Sequence, residues 1–388
     1  MMRLLWITRQ DPRAANSGEL IHTLGLLRSL SDTARANTIV LAHKGGPVTY
    51  DIPRTFFHLP CPLPRKSPLS LLSPLPSDAH RLGGPEMRQT LTDLLRNEHF
   101  DRVIIDQAAA GWALDLIPAS LPLCYIAHNH EAVVRAEVSA DASGPMAPLM
   151  RIDARKYATL ENRIAARSRW IAAITPRDAD AFRQEFPDKH YLVLPPGYKG
   201  SIPTGPPAPI GPETPRKVVL AGTFGWIAKR RNLEAFLRDA ESCFPAAGIG
   251  FTVVGLADPG YFHALSQRHP WASFHSNVPS VDPYLRDARI GVIPEALGGG
   301  FKLKALDYIF RGLPLASIES ALSGLPLTPG VESITAADTA TLAREIAAKI
   351  DDFPFLNDAA AGALDRCRDA FHWSDRGLAL ASVLGENP

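Results

Sequence analysis

The chain begins with RLLWIT (3–8), a continuous apolar run of strand length, and continues into SGELIHTLGLLRSL (17–30), where Leu20, Leu24, Leu27 and Leu30 recur on one helical face. NTIVLA (37–42), DRVIID (101–106), LPLCYIAH (121–128) and RWIAAIT (169–175) are further apolar runs, separated by helical segments. Strands that are apolar on both faces and alternate with helices predict a parallel sheet covered on both sides. Residues 46–86 are rich in Pro and Ser and predict long surface loops.

The segment LPPGYKGSIPTGPPAPIGPETP (194–215) holds eight prolines and four glycines in 22 residues, which no helix or strand tolerates. After it the alternation restarts with KVVLAG (217–222), a helix near 230–241, GFTVVG (250–255), ASFH (272–275), RIGVIP (289–294) and GLPLASI (312–318). The expected organisation is an N-terminal Rossmann-like domain over 1–195, a linker over 196–215 and a second Rossmann-like domain over 216–371. Ligands of open α/β sheets sit at the carboxyl ends of the strands, so a cleft between two facing domains is the expected site.

Composition narrows the chemistry. The chain has 388 residues, 41 Lys and Arg against 40 Asp and Glu, and a net charge of +1, which argues against a broad nucleic-acid surface and makes any phosphate site local. Cys61, Cys124, Cys243 and Cys367 are scattered without a CxxC pair, which predicts neither a disulfide frame nor a zinc site. No apolar run reaches spanning length, and the start MMRLLWITRQDP runs directly into a strand, so a cytoplasmic protein is expected.

Two segments of the second half carry candidate chemistry. In PEALGGGFKLKALDYIFRGLP (294–314), three glycines separate a strand from a helix that brings Lys302 and Lys304 to its start. Bare backbone, unpaired N–H groups and ammonium charge together predict an anion site, with phosphate as the anion; a tight turn with solvated lysines is the alternative. The spacing is neither GxxxxGK[ST] nor GxGxxG. In VVLAGTFGWIAKRRNLEAFL (218–237), Lys229, Arg230 and Arg231 fall near a helix start, where the dipole disfavours cations unless an anion is bound. DAD (178–180) follows Thr175 in a helical segment and reads as capping rather than as a metal motif. Glu161 and Arg163 read as a solvated or interdomain face. The stretch 145–169 mixes Met and Leu with arginines and lysine: either an ordinary surface helix or a basic amphipathic helix making a peripheral membrane contact.

The order and spacing of these segments resemble the GT-B glycosyltransferases of the large retaining family 4 group. GFKLKALDY followed by RGLP is similar to that group's glycine-rich turn and Gly-x-Pro, and GTFGWIAKRRNLEAFL to its earlier glycine turn with a downstream lysine. YIAHNHEAVVRAE (125–137), VLPPGY (193–198) and FHWSDRGLALASVL (371–384) resemble its strand-end His-Asn-x-Glu, its linker entry and its closing helix. The resemblance implies that helix 372–388 packs back on the first domain. It implies that Lys229 grips the donor diphosphate, with Arg230 near it. Gly299, Gly300 and Phe301 would meet the donor with Lys302 close by, and Asp307 would stand where the group has a ribose-binding glutamate. By the same resemblance, Glu295 and Thr223 would belong to the donor site. His128 would lie by the transferred sugar, and Gly18 would let substrate approach the first turn. HNHE lacks HExxH spacing, so a metal role for His128 has little support beside sugar contact or a structural one.

Two departures stand out: Thr223 occupies the place of an arginine, and Gly299 that of a glutamate. The implied activity is retaining, metal-independent transfer of a sugar from a nucleotide diphosphate, UDP before GDP, to a saccharide or lipid-linked saccharide in polysaccharide or glycoconjugate assembly. The group's usual route is same-face attack, with the leaving phosphate accepting the acceptor's proton. No nucleic-acid partner is expected. A sugar-nucleotide 2-epimerase-type isomerase and a non-catalytic GT-B subunit remain as alternatives.

Overall fold

Among the described residues, every pairing between strands is parallel. The computed structural model describes residues 1–388 except 15, 16, 49, 141, 143 and 386–388. The chain divides into two units, Met1–Gly197 with His372–Pro388, and Tyr198–Phe371. Of the expected closing segment 372–388, the last three residues lie outside the described residues.

In the first unit, β1 (Met2–Gln10), β2 (Ala36–His43), β3 (Thr55–His58), β4 (Arg102–Asp106), β5 (Leu123–Ala127), β6 (Trp170–Ala173) and β7 (His190–Val193) form one sheet in the order β3-β2-β1-β4-β5-β6-β7. Its helices are α1 (Gly18–Asp32), α2 (Ser77–Leu82), α3 (Pro85–Asn97), α4 (Glu131–Ala140), α5 (Ala147–Arg167) and α6 (Pro176–Glu185). The apolar runs are continuous because both faces of the sheet are covered: Leu5 and Ile7 enter one core cluster, Leu4 and Trp6 the other. The stretch 46–86, read as loops, contains β3 and α2 and the start of α3. β3 escapes the pattern because it is a four-residue edge strand whose alternate residues are exposed.

In the second unit, β8 (Lys217–Thr223), β9 (Gly250–Leu256), β10 (Ala272–Ser276), β11 (Ile290–Ile293), β12 (Leu315–Ile318) and β13 (Ile334–Ala336) pair in the order β10-β9-β8-β11-β12-β13. The helices are α7 (Ile227–Ala240), α8 (Pro259–Arg268), α9 (Asp282–Arg286), α10 (Leu303–Ile309), α11 (Thr339–Lys349) and α12 (Phe353–Cys367). Val218 and Leu220 face one cluster, Val219 and Ala221 the other. Residues 194–215 carry no helix or strand. From Tyr198 onward they belong to the second unit: Ile210 is buried in its core, and the Asn357 side chain accepts from Ile210 N (2.8 Å) and donates to Ile210 O (3.0 Å).

The last helix, α13 (Trp373–Gly385), lies on α1 in the first unit. Ser29 Oγ donates to Trp373 O and accepts from Gly377 N at 2.7 Å, and the Trp373 ring fills the space over Gly25.

Candidate active site

Both sheets reverse their winding at one place, between β1 and β4 in the first unit and between β8 and β11 in the second. Ligands of open α/β sheets bind in the crevice outside the carboxyl ends of the strands at such a switch point, and chemistry-bearing residues collect there.

In the second unit the crevice is built from β8, β11 and α10. Gly255 of β9 has φ +143, and a Cβ there would sit 1.8 Å from Gly222 O, so only glycine allows these strand ends to approach. Tyr308 of α10 packs its ring over Gly291 and accepts a hydrogen bond from Ala221 N (2.8 Å), fixing the helix to the end of β8. One turn earlier, Lys304 lies over that strand end, its Nζ 3.3 Å from where a Gly222 Cβ would be.

Lys304 Nζ is 2.5 Å from Glu295 Oε1, and Lys302 Nζ is 3.4 Å from Glu295 Oε2. Glu295 is buried. Burial works against its ionisation, yet the ammonium groups of Lys304, Lys302 and Lys229 outweigh that and hold its carboxyl well below the usual range. The charges of three lysines thus act on one buried carboxylate. Lys229 Nζ stands 3.5 Å from Thr223 Oγ1, at the place where the sequence lacks an arginine. The first turn of α7, which carries Lys229, holds no acidic residue, and its N-cap makes no side-chain hydrogen bond.

The glycine loop is held from within. Lys302 Nζ donates to Gly298 O (2.8 Å) and Gly299 O (2.9 Å). Asn232 of α7 accepts from Leu297 N (3.0 Å) and donates to Leu297 O (2.8 Å). Gly298 and Gly300 have φ +91 and +75, conformations that need glycine. α10 is only seven residues long, and its N-cap, Lys302, makes no side-chain capping hydrogen bond, so charge here comes from side chains more than from helix amides. Phe301 packs on Phe371. Arg230 donates from Nε to Phe224 O (2.7 Å) and lies over the Tyr261 ring, so its guanidinium braces its own loop. Asp307, on α10, accepts from Arg311 Nη1 (2.9 Å) and from the Tyr198 hydroxyl (3.3 Å).

In the first unit, Asp106 ends β4 fully buried and accepts three hydrogen bonds: from Trp6 Nε1 (3.0 Å), Thr23 Oγ1 (2.6 Å) and His128 Nε2 (2.6 Å). Burial of the His128 ring opposes protonation, but the Asp106 carboxylate outweighs it and raises the His128 pKa. Asp106 is correspondingly lowered against its own burial. His22 meets His128 edge to face at 5.0 Å and hydrogen-bonds Leu194 O through Nε2 (3.0 Å); burial, then the His128 charge, push its pKa down to about 3. Gln107, next in the chain, has φ +77 and ψ 148, a strained backbone for a non-glycine residue, and its buried side-chain nitrogen has no hydrogen-bond partner among the described residues. Gly18 opens α1 at an exposed position.

The remaining residues of HNHE diverge: His130 packs on Phe182, and Glu131 binds Arg135. Among the described residues no cluster of three or more His, Cys, Asp or Glu side chains forms a metal site. The DAD segment caps α6, with Thr175 Oγ1 accepting from Asp178 N (3.1 Å). Glu161 departs from its expected solvated or interdomain position. It is fully buried and accepts from the Tyr125 hydroxyl (2.7 Å), Glu131 N (3.1 Å) and Ala132 N (2.7 Å), capping α4 from α5; burial raises its pKa to about 8.

Sequence reasoning placed Lys304 in the anion site but did not assign Asn232, Asp106 or Gln107. Asp106 carried a readable signal, since an apolar strand ends on it at the edge where ligands bind. Asn232 was masked by the basic triplet before it, although a buried Asn inside a helix is itself a mark of a specific partner.

No protein-family model and no curated protein matches the chain. Solved structures do match over its full length. A sucrose-phosphate synthase from Thermosynechococcus elongatus superimposes with a TM-score of 0.74 at 15% identity, covering 99% of this chain and 98% of its own. HepE of Anabaena, solved in complex with UDP and glucose, gives 0.66 at 14% identity over 99% of both chains. WaaG, a glycosyltransferase involved in lipopolysaccharide biosynthesis, gives 0.66 at 16% identity over 99% of this chain and 100% of its own. The likeness assigns the fold: two Rossmann-like parallel-sheet domains of the GT-B type.

Proposed function

We propose that this chain, with the GT-B fold, is a glycosyltransferase that moves a sugar from a nucleotide diphosphate, a UDP-sugar before a GDP-sugar, to a saccharide or glycolipid acceptor. The observation that carries this is the lysine cluster at the crevice of the second unit: Lys229, Lys302 and Lys304 against the single carboxylate of Glu295. A diphosphate leaves as a multiply charged anion, and preorganised cations aimed at that charge supply a large part of glycosyl-transfer catalysis. The ammonium groups of Lys229, Lys302 and Lys304 suit that task, and with them the reaction proceeds without a divalent metal. UDP and UDP-glucose in complex with HepE support the choice of donor class.

In this reading the second unit binds the donor. Lys229 and Lys304 face the diphosphate, Lys302 holds the carbonyls of the glycine loop, and Asp307 meets the ribose. The first unit supplies His128, oriented by Asp106, to the transferred sugar. The acceptor hydroxyl attacks the anomeric carbon as the bond to the diphosphate breaks. Its proton passes to the leaving phosphate, and configuration is retained. Incubation with UDP- and GDP-sugars in EDTA, with nucleotide release and product anomericity followed by NMR, tests this. Nucleotide release with a new glycoside of unchanged configuration upholds the reading. A converted sugar nucleotide identifies an isomerase, and failure of every nucleotide to bind identifies a non-catalytic subunit.

A further inference from the structure

The Pro-rich stretch CPLPRKSPLSLLSPLPSDA (61–79) contains no acidic residue before Asp78 and divides its leucines by face. Leu63 and Leu75 pack against the core of the first unit. Between them a short 3-10 turn, Pro68–Leu72, points outward: Leu69, Leu71 and Leu72 are 65%, 46% and 87% exposed. The turn does not owe its shape to those leucines. Ser67 Oγ accepts from Leu69 N (3.2 Å), Ser70 Oγ donates to Ser67 O (2.8 Å), and Lys156 of α5 donates to the carbonyls of both Ser70 and Leu71 at 3.0 Å. A polar framework therefore holds three large apolar side chains in water, where each forgoes the gain that burial would bring.

The surroundings of the turn are cationic. Arg65 and Lys66 precede it and are exposed. Lys156 ties it to α5, and one turn earlier on that helix Ile152 is exposed beside Arg151, with Arg155 also exposed. The neighbouring carboxylates are engaged: Asp153 accepts from Ser77 N and Oγ, and Asp78 is paired with Arg81 and also feels the charge of Lys66. Exposed leucines beside the exposed cations Arg65, Lys66, Arg151 and Arg155 complement an anionic bilayer, whose acyl region takes the leucines while its headgroups take the cations. No helix among the described residues is long and apolar enough to cross a membrane, so such a contact would be interfacial.

We propose that the Pro68–Leu72 turn, with the adjoining face of α5, docks the first unit onto an anionic lipid surface. This goes beyond the glycosyl-transfer reading and does not depend on it, because it rests on exposure and charge in a different part of the molecule. It also shifts the contact expected over 145–169: the leucines that insert come from the Pro-rich loop, and α5 contributes the flanking charge.

The test is co-sedimentation of the full chain with phosphatidylcholine vesicles and with vesicles containing phosphatidylglycerol. The intact protein is expected to partition at least tenfold more strongly onto the anionic vesicles. Leu71→Ser with Leu72→Ser is expected to lower that partition at least tenfold. Arg65→Ala with Lys66→Ala should lower it about thirtyfold, the loss for two surface cations at about 1 kcal/mol each. Thermal melts confirm that both variants fold. Equal partition onto the two vesicle types, or partition unchanged in both variants, overturns the proposal. So does concentration-dependent dimerisation in sedimentation velocity that the leucine variant abolishes without any vesicle binding, which would assign the turn to a second copy. Vesicle binding without any sugar transfer would leave this proposal standing and refute the functional one.

Discussion

Lys304→Met is the substitution that most directly probes how the second unit handles charge. Its ammonium sits at the end of β8, 3.3 Å from the position of a Gly222 Cβ, and contacts Glu295 at 2.5 Å. With a diphosphate bound, Lys304 would be shared between Glu295 and a phosphate oxygen. A bare contact of unit charges at about 4 Å and an effective dielectric of about 20 amounts to about 4 kcal/mol, which sets the ceiling. Measured hydrogen bonds to charged groups contribute about 1.5–3 kcal/mol, and sharing with Glu295 keeps Lys304 within that range. The expected weakening of UDP binding is therefore about 10- to 150-fold in Kd. Calorimetric titration with UDP and with uridine provides the assay, because uridine has no phosphate for Lys304 to meet and its affinity should not change. Stability needs its own control, since removing one partner of a buried ion pair can cost about 3–5 kcal/mol. Lys302 and Lys229 still face Glu295, however, so the variant should remain folded at 25 °C, which a thermal melt checks. Thr223→Arg in the Lys304→Met background returns a cation to the neighbouring position on β8 and should recover most of the lost UDP affinity. A UDP affinity changed less than twofold, or equal losses for UDP and uridine, would refute the reasoning.

Lys229→Ala should lower turnover about 10²-fold or more, the range for losing one charge-stabilising donor, while the melting temperature stays within a few degrees; unchanged kinetics would remove Lys229 from the donor site. Asp106→Asn takes away the carboxylate that raises the His128 pKa, so an NMR titration of the His128 ring should move down relative to the wild type, and an unmoved titration would show that Asp106 does not govern it. His22 is held neutral in the fold with a pKa of about 3, against an ordinary 6.5, so its contribution to stability is complete above pH 6.5 and is lost as pH falls from there toward 3. Urea unfolding at pH 7 and pH 4 should show a smaller acid loss in His22→Gln than in the wild type, and equal losses would mean that other groups carry the effect.

The central strands were legible because burial on both faces forces continuous apolar runs, as in β1, β4, β8 and β9. The strands that went unread, β3, β7 and β13, all lie at sheet edges and span only three or four residues, too few for a period to register. The same limit applies to polar groups. Glu161 looks like a surface residue on an amphipathic helix because its partners, Tyr125 and the first amides of α4, come from distant parts of the chain. Lys304 was visible as a charge but not as a member of a cluster, since the contact with Gly222 is made by the sheet and not by sequence proximity.

The two units share a topology through six of their strands, yet their equivalent crevices differ in charge. In the first, Asp106 and His128 form a pair whose charges nearly cancel, braced by the neutral donors Trp6 and Thr23. In the second, one carboxylate stands against three lysines. A common backbone supplies the same strand-end position twice, and the side chains give each copy a different charge. In the proposed reading, the lysines of the second unit suit an anionic donor, whereas the Asp106–His128 pair of the first suits sugar hydroxyls, which gain from hydrogen bonds and not from net charge. If the donor's diphosphate were instead found in the first unit, the field of Asp106 would oppose it and that of Lys229, Lys302 and Lys304 would be idle. The proposed division of labour between the units therefore rests on charge as well as on resemblance.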